Sequence, residues 1–378
     1  LQLPLLGSAH PAGSSGLNMA LELGIGSAWI SSNPPPPPPP PPRQRLHIEG
    51  TRVMLGTTEF VGRGCVTGHG ELYRTGDAAF LAAHGANLAR RGNRWWGTYG
   101  IGFQVDSELD PAPGHVNEDY FNEIVATPVD ESYDAGQRVL LFMDSNCGQG
   151  LEDGDVCKLD GVNYANFFTD SDLARAKRAK YIEAACYIVQ QKKGRIDMIE
   201  PLVEPGAVAS QKALWAFQEE FMSAILAVDP DMLFVIGASP NYQPNQIQDA
   251  YNPDWLRSIF RKHVILTGNF LTGIASNPTL RVSRVKYVTD ARAQWKCPVF
   301  IQQVGTTLTD DPDNAHLDAM LGLLDNAVGG PIGYSVWEEF STFPNSYGFW
   351  SLSNPNDPLS SRNTDAARLA VLQSHFTA

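Results

Sequence analysis

The feature that most constrains this chain is a rhythm of short apolar runs. They fall at Phe60–Val66, Ala86–Gly92, Val139–Asp144, Ile196–Glu204, Met232–Ala238, His263–Gly268, Val299–Val304 and Ile332–Trp337. Runs of this kind, bounded by turn residues, read as strands buried on both faces. Between several of them lie stretches with helical spacing of apolar residues, such as Asp172–Gln191, Ser210–Val228, Arg281–Trp295 and Asn314–Ala327. Strand followed by helix, repeated, predicts a parallel sheet, and eight such units predict closure into a (β/α)8 barrel of the α/β class. An open doubly wound sheet would carry a glycine-rich phosphate loop after its first strand, and Arg63-Gly64-Cys65-Val66 is not one. The segment Leu46–Leu55, with a turn at Glu49-Gly50-Thr51, reads as a small hairpin ahead of the first barrel strand.

A barrel needs about 250 residues, so a chain of 378 leaves room for long loops and an extension. The extension is visible in composition. Residues 1–33 are rich in Gly, Ser, Ala and Leu, and nine consecutive prolines follow at Pro34–Pro42. A run of prolines adopts polyproline II, here an extended rod of roughly 28 Å. The sequence thus divides into an arm at 1–33, a polyproline linker at 34–42 and a barrel at 43–378. The rod reads as a spacer, or as a strut holding the barrel away from a protein assembly that the arm docks to.

Charge narrows the partners. The formal net charge is −13 with no long basic run, which disfavours nucleic acid. No transmembrane segment is expected: the best apolar stretch, Leu17–Ile30, is interrupted by Glu22 and lacks the basic flank of a signal peptide. The five cysteines form no CxxC pair, so no zinc site and no cofactor is expected; Cys147 and Cys157 flank a Gly/Asp-rich segment that they could bridge.

Chemistry in such barrels sits at the C-terminal strand ends. The fourth run ends Glu200-Pro201-Leu202-Val203-Glu204-Pro205, and strand alternation puts Glu200 and Glu204 on one inward face. The second run brings Arg90 to the rim with Trp95 shortly after. The seventh ends Gln302-Gln303-Val304-Gly305, and the eighth ends Ser335-Val336-Trp337-Glu338. Gly85-Ala86-Asn87…Arg90…Trp95, Glu200–Pro205, Pro298–Gly305 and Trp337 together resemble the second-, fourth-, seventh- and eighth-strand signatures of the family-five cellulase and mannanase glycosidases. The order and spacing agree over roughly 330 residues.

The resemblance implies that Glu204 takes the acid/base position, that Arg90 orients the nucleophile and that Trp337 stacks on a sugar. Trp95, Asp144 and Glu338 would line the same rim. The departures are as specific. Val203 stands where the family has an Asn, Ser145 and Asn269 stand where third- and sixth-strand histidines are expected, and Gln303 occupies the nucleophile position. A retaining glycosidase needs two carboxyl groups about 5–5.5 Å apart, and an amide is a poor nucleophile. Three accounts are open: Gln303 is an engineered replacement of a catalytic Glu; the barrel has lost catalysis and keeps its cleft; or a substrate acetamide, Asp144, Glu338 or Glu339 supplies the missing group. Structural readings stand beside these. Glu-Pro at a strand end is a common turn feature, and Arg90 can simply pair with Glu200 or Glu204 in a buried network.

The expectation is a carbohydrate-recognising barrel without the usual nucleophile, binding poly- or oligosaccharide as a glycan-binding or structural module. It would be extracellular, attached to a virion or surface assembly through residues 1–42. The competing expectation is an active β-glycan hydrolase with Glu204 as acid/base.

Overall fold

The structure, a computed structural model, describes residues 43–67, 73–92, 121–143, 167–203, 211–236, 254, 258–337, 340–341, 348–352 and 362–378. The arm, the proline run, Cys147 and Cys157 lie outside the described residues.

The hairpin expected at Leu46–Leu55 forms from β1 (Leu46–Glu49) and β2 (Arg52–Leu55), with β3 (Thr58–Glu59) adding a third antiparallel strand. Gly50 turns it at φ 65, a left-handed conformation that costs glycine nothing. Eight strands then close a parallel barrel: β4 (Gly62–Thr67), β5 (Leu88–Gly92), β6 (Arg138–Phe142), β7 (Met198–Glu200), β8 (Leu233–Ile236), β9 (Val264–Phe270), β10 (Val299–Val304) and β11 (Gly333–Val336). β11 pairs back onto β4, which completes the ring. The eight runs read from sequence are these eight strands. The run Ile196–Glu204 is the one cut most: its strand stops at Glu200 because Pro201 has no amide to continue the ladder.

The longer helices among the described residues are α1 (Asp77–Ala83), α2 (Thr127–Asp134), α3 (Asp172–Gln191), α4 (Gln211–Val228), α5 (Pro278–Trp295), α6 (Ala315–Asn326) and α7 (Ala366–Phe376). α3 has the bounds its spacing predicts, and Ser171 caps it by accepting from the Ala174 amide at 3.2 Å. α5 starts three residues earlier than expected. Asn277 accepts the Thr279 and Leu280 amides, and Pro278 takes the first helical position, where no donor is needed. Between β11 and α7, the strands β12 (Phe340–Ser341), β13 (Trp350–Leu352) and β14 (Arg362–Thr364) form a small separate sheet.

Alternation along each strand sorts the barrel's side chains. Outward residues such as Leu141, Ile199, Leu266, Ile301 and Val304 join the helices in one large core. Inward residues Leu88, Leu140, Met198, Leu233, Val235, Ile265 and Phe300 fill the lower barrel, where Leu46 and Val53 of the hairpin join them. The hairpin therefore packs as a plug at the N-terminal end. An upper layer of Val66, Phe142 and Val203 lies toward the C-terminal end, with Trp337 packed on it.

The first described residues are pinned to the N-terminal strand ends. The Arg43 guanidinium donates to the Gln137 carbonyl at 3.2 Å and lies 4.1 Å from the Tyr133 ring centre. Arg45 pairs with Asp229 at 2.8 Å, and Arg138 donates both to the Gln44 carbonyl and to Asp197. Burial pushes the Asp197 carboxyl above its usual range, against the pull of Arg138, the Val139 amide and Arg45.

Candidate functional site

Between the apolar lower fill and the upper Val66–Phe142–Val203 layer lies a polar layer inside the barrel. β5 contributes Arg90, two residues above inward-facing Leu88, and β7 contributes Glu200, two above Met198. Both side chains are fully buried, and Arg90 NH2 donates to Glu200 Oε2 at 2.7 Å, with Nε adding a second bond at 3.2 Å. The guanidinium also lies 4.5 Å from the centre of the Phe142 ring, a cation–π contact that helps offset its lost hydration.

β10 does something its sequence does not announce. Its register against β9 slips between Ile301 and Gln303, and its register against β11 slips between Ile301 and Val304. A bulge of this kind lets two consecutive residues face the same side. Gln302 and Gln303 both turn inward, while Ile301 and Val304 on either side belong to the outer core. The Gln302 carbonyl, displaced from the ladder, accepts instead from the Ser335 hydroxyl at 2.7 Å and from Arg90 NH1 at 3.4 Å. The Gln302 side-chain oxygen accepts from the Thr267 hydroxyl at 3.1 Å. Gln303 sits opposite Asn269 of β9, both nearly inaccessible at 4% and 2% exposure.

The structure thus sets Gln303 opposite Asn269, brings Arg90 to the neighbouring Gln302 carbonyl and packs Trp337 on the Val66–Phe142–Val203 layer. Trp337 is half-buried, and its amide donates to the Val304 carbonyl at 2.9 Å, which fixes it beside the end of β10. Arg90 takes the structural partner open to it, Glu200 in a buried pair. Among the described residues its side-chain bonds go to Glu200 and the Gln302 carbonyl rather than to the Gln303 side chain. Glu204, Trp95, Asp144, Ser145 and Glu338 lie outside the described residues.

Val203 occupies its apolar setting fully. It is 2% exposed and packs with Val66 and Phe142, so this position supplies an apolar group where the resembled family has an amide. Just before it, Pro201 is held by its carbonyl, which accepts from the Tyr181 hydroxyl.

Sequence reasoning missed Thr267, Gln302 and Ser335. Counting by twos from Ile265 or Phe300 would have placed Thr267 and Gln302 inward; nothing in the sequence marks the bulge.

Beyond Gln303 the end of β10 is fastened by buried bonds. The Arg368 guanidinium of α7 donates to the Thr306 carbonyl at 2.8 Å, to the Thr306 hydroxyl at 3.1 Å and to the Asn314 side chain at 2.7 Å. The Thr306 hydroxyl donates in turn to Asp311, whose carboxylate also accepts the His316 and Leu317 amides at the start of α6. Burial raises the Asp311 carboxyl, but these bonds outweigh it and hold the group below the usual carboxylate range. Among the described residues no cluster of His, Cys, Asp and Glu could hold a metal ion, and no helix is long and apolar enough to cross a membrane.

No protein-family model matches the chain, and no curated protein matches it in sequence. Solved structures do match its fold. An endo-1,4-β-mannanase from Rhizomucor miehei superposes with a TM-score of 0.64 at 14% identity, covering 87% of this chain and 99% of that one. Cel5A of Thermotoga maritima, solved with mannotriose, gives 0.59 at 12% identity over 83% and 97% of the two chains. An endogalactoceramidase gives 0.65 at 13% identity over 87% and 84%. At such identities the likeness establishes the fold, a glycosidase-like (β/α)8 barrel, and leaves the chemistry to be argued from the site.

Proposed function

We propose that this chain is a carbohydrate-recognising barrel in which the position of the glycosidase nucleophile no longer carries a carboxylate. The observation that carries this reading is the state of the polar layer. Among the described residues the one carboxylate facing the upper barrel interior is Glu200, fully buried and bonded to Arg90, while the end of β10 presents the amides of Gln302 and Gln303. Hydrolysis with retention needs an attacking carboxylate and a proton donor about 5–5.5 Å apart, and an amide fills neither role. The half-exposed Trp337 beside the end of β10 still suits a sugar ring, whose apolar faces stack on indole. The fold neighbours include proteins described as a mannanase and as Cel5A bound to mannotriose, which supports a β-linked neutral glycan as the ligand.

The formal charge of −13 favours such a ligand over a nucleic acid. The nine prolines, followed by residues fixed at Arg43 and Arg45, support a second role for residues 1–42. They would tether the barrel to a larger extracellular, virion or surface assembly.

The test is calorimetric binding of β-glucan, mannan, xylan and amino-sugar oligosaccharides to the whole chain, with hydrolysis assayed for the chain and for Gln303→Glu. Binding without hydrolysis by the chain is the expected result, and activity gained only by Gln303→Glu would identify 303 as the missing nucleophile. Hydrolysis by the unaltered chain, abolished by Glu204→Gln, would overturn the reading in favour of an active hydrolase.

A further inference from the structure

The last helix, α7, is fastened at two places. Through Arg368 it holds Thr306, three residues beyond Gln303. At its other end His375 lies between two carboxylates of α6: Nδ1 is 2.7 Å from Asp325 and Nε2 is 3.0 Å from Asp318. A neutral imidazole has one N–H and can donate to one carboxylate only; donating to both requires the imidazolium.

The charges around the ring favour that proton. Asp318 and Asp325 face it from α6. Behind Asp325 stand Arg63 of β4, whose Nε is 3.0 Å from Oδ1, and Tyr334 of β11, whose hydroxyl is 3.3 Å from the same oxygen. Burial and the nearby carboxylate push the Tyr334 phenol up, so it stays a neutral donor. Arg63 also donates to the Ala378 carbonyl at 2.6 Å, which ties the residues after α7 to the same cluster. Two carboxylates and one guanidinium leave a charge of −1, and a charged His375 brings the four groups to neutrality.

We infer that His375 is a proton-operated clasp: charged, it locks α7 to α6 through both ring nitrogens, and neutral, it gives up one of the two bonds. The bond to Asp325 leads the forces that raise the His375 pKa, with Asp318 adding to it and burial opposing. A group whose folded-state pKa is raised contributes stability in full below its unfolded value, about 6.5 for histidine. That contribution disappears as pH rises through the folded value. α7 also carries Arg368, whose bonds hold Thr306 beyond the end of β10. The clasp itself uses none of the side chains assigned to sugar binding and stands whether or not the chain binds glycans.

The test uses the whole chain. The His375 ring nitrogens are titrated by NMR, and urea unfolding midpoints are followed from pH 5 to 9 for the chain, for His375→Gln and for Asp318→Asn. His375 should titrate above 6.5, with both nitrogens protonated below its pKa. The chain should lose midpoint concentration of urea across that titration, His375→Gln should lack this loss, and Asp318→Asn should move the titration to lower pH. A His375 pKa at or below 6.5, or the same alkaline loss persisting in His375→Gln, overturns the clasp. Should His375→Gln fail to fold, the titration of the unaltered chain decides alone.

Discussion

Arg90 and Glu200, 110 residues apart in sequence, meet inside the barrel with both side chains fully buried and a 2.7 Å contact between NH2 and Oε2. Breaking such a pair leaves a buried charge without its counterion, at a cost of about 3–5 kcal/mol. Glu200→Gln and Arg90→Met should each lower unfolding free energy by that order in urea titrations. The double variant Arg90→Met/Glu200→Gln should cost clearly less than the sum, since it removes both charges of the pair together. Additive losses would mean that the two residues act through separate partners.

Closure of the barrel depends on a close approach between β4 and β5. A Cβ on Gly64 would lie 1.7 Å from the Leu88 carbonyl oxygen, a backbone atom that cannot move aside alone. Gly64→Ala is therefore expected at or beyond the upper end of the ~1–3 kcal/mol typical of overpacking. Gly194→Ala is the control. Its φ of +80 strains an alanine, but nothing lies within 4 Å, so about 1–2 kcal/mol is expected. Thermal melts of the two variants should fall in that order, and equal losses would remove the steric explanation.

How much of this was legible in the sequence follows from the range of each interaction. Strand and helix positions come from local periodicity and caps, so α3 at Asp172–Gln191 and the seventh strand at Val299–Val304 read correctly. The inward placement of Arg90 and Asn269 follows from the same alternation. For the partner of Arg90 the sequence left two readings, a buried pair with Glu200 or Glu204 and an approach to the Gln303 strand end, and only the closed barrel selects the pair with Glu200. The bulge that turns Gln302 and Gln303 to one face is a property of pairing on both sides of β10, with no local sequence mark. The fastening of Thr306 by Arg368 joins residues 62 positions apart and was likewise invisible.

Asp311 sets an acid limit on the same segment. The hydrogen bonds that hold its carboxyl below the usual range stabilise the folded state only while it is ionised. With the folded pKa depressed, its contribution is complete above the unfolded value of about 3.9 and disappears as pH falls through the folded value. Asp311→Asn should lower stability at pH 7 and flatten this part of the acid limb. An unchanged acid limb, measured by urea titrations between pH 2 and 6, would show that Asp311 does not report on it.

Trp337 separates the binding proposal from the fold that carries it. The indole rests on Val66, Phe142 and Val203 and stays half-exposed, with its backbone held by Val304. If it forms the sugar platform, Trp337→Ala should weaken oligosaccharide binding by about tenfold or more, or roughly 1.4 kcal/mol. Trp337→Phe, which keeps a flat apolar face, should retain most of the affinity. Removing a large side chain from a partly buried site also lowers stability, so melts must show both variants folded at the assay temperature. Calorimetry then distinguishes the cases. Lost affinity in a folded Trp337→Ala places the sugar over the upper apolar layer, whereas unchanged affinity would require a ligand site elsewhere and would remove Trp337 from the proposal.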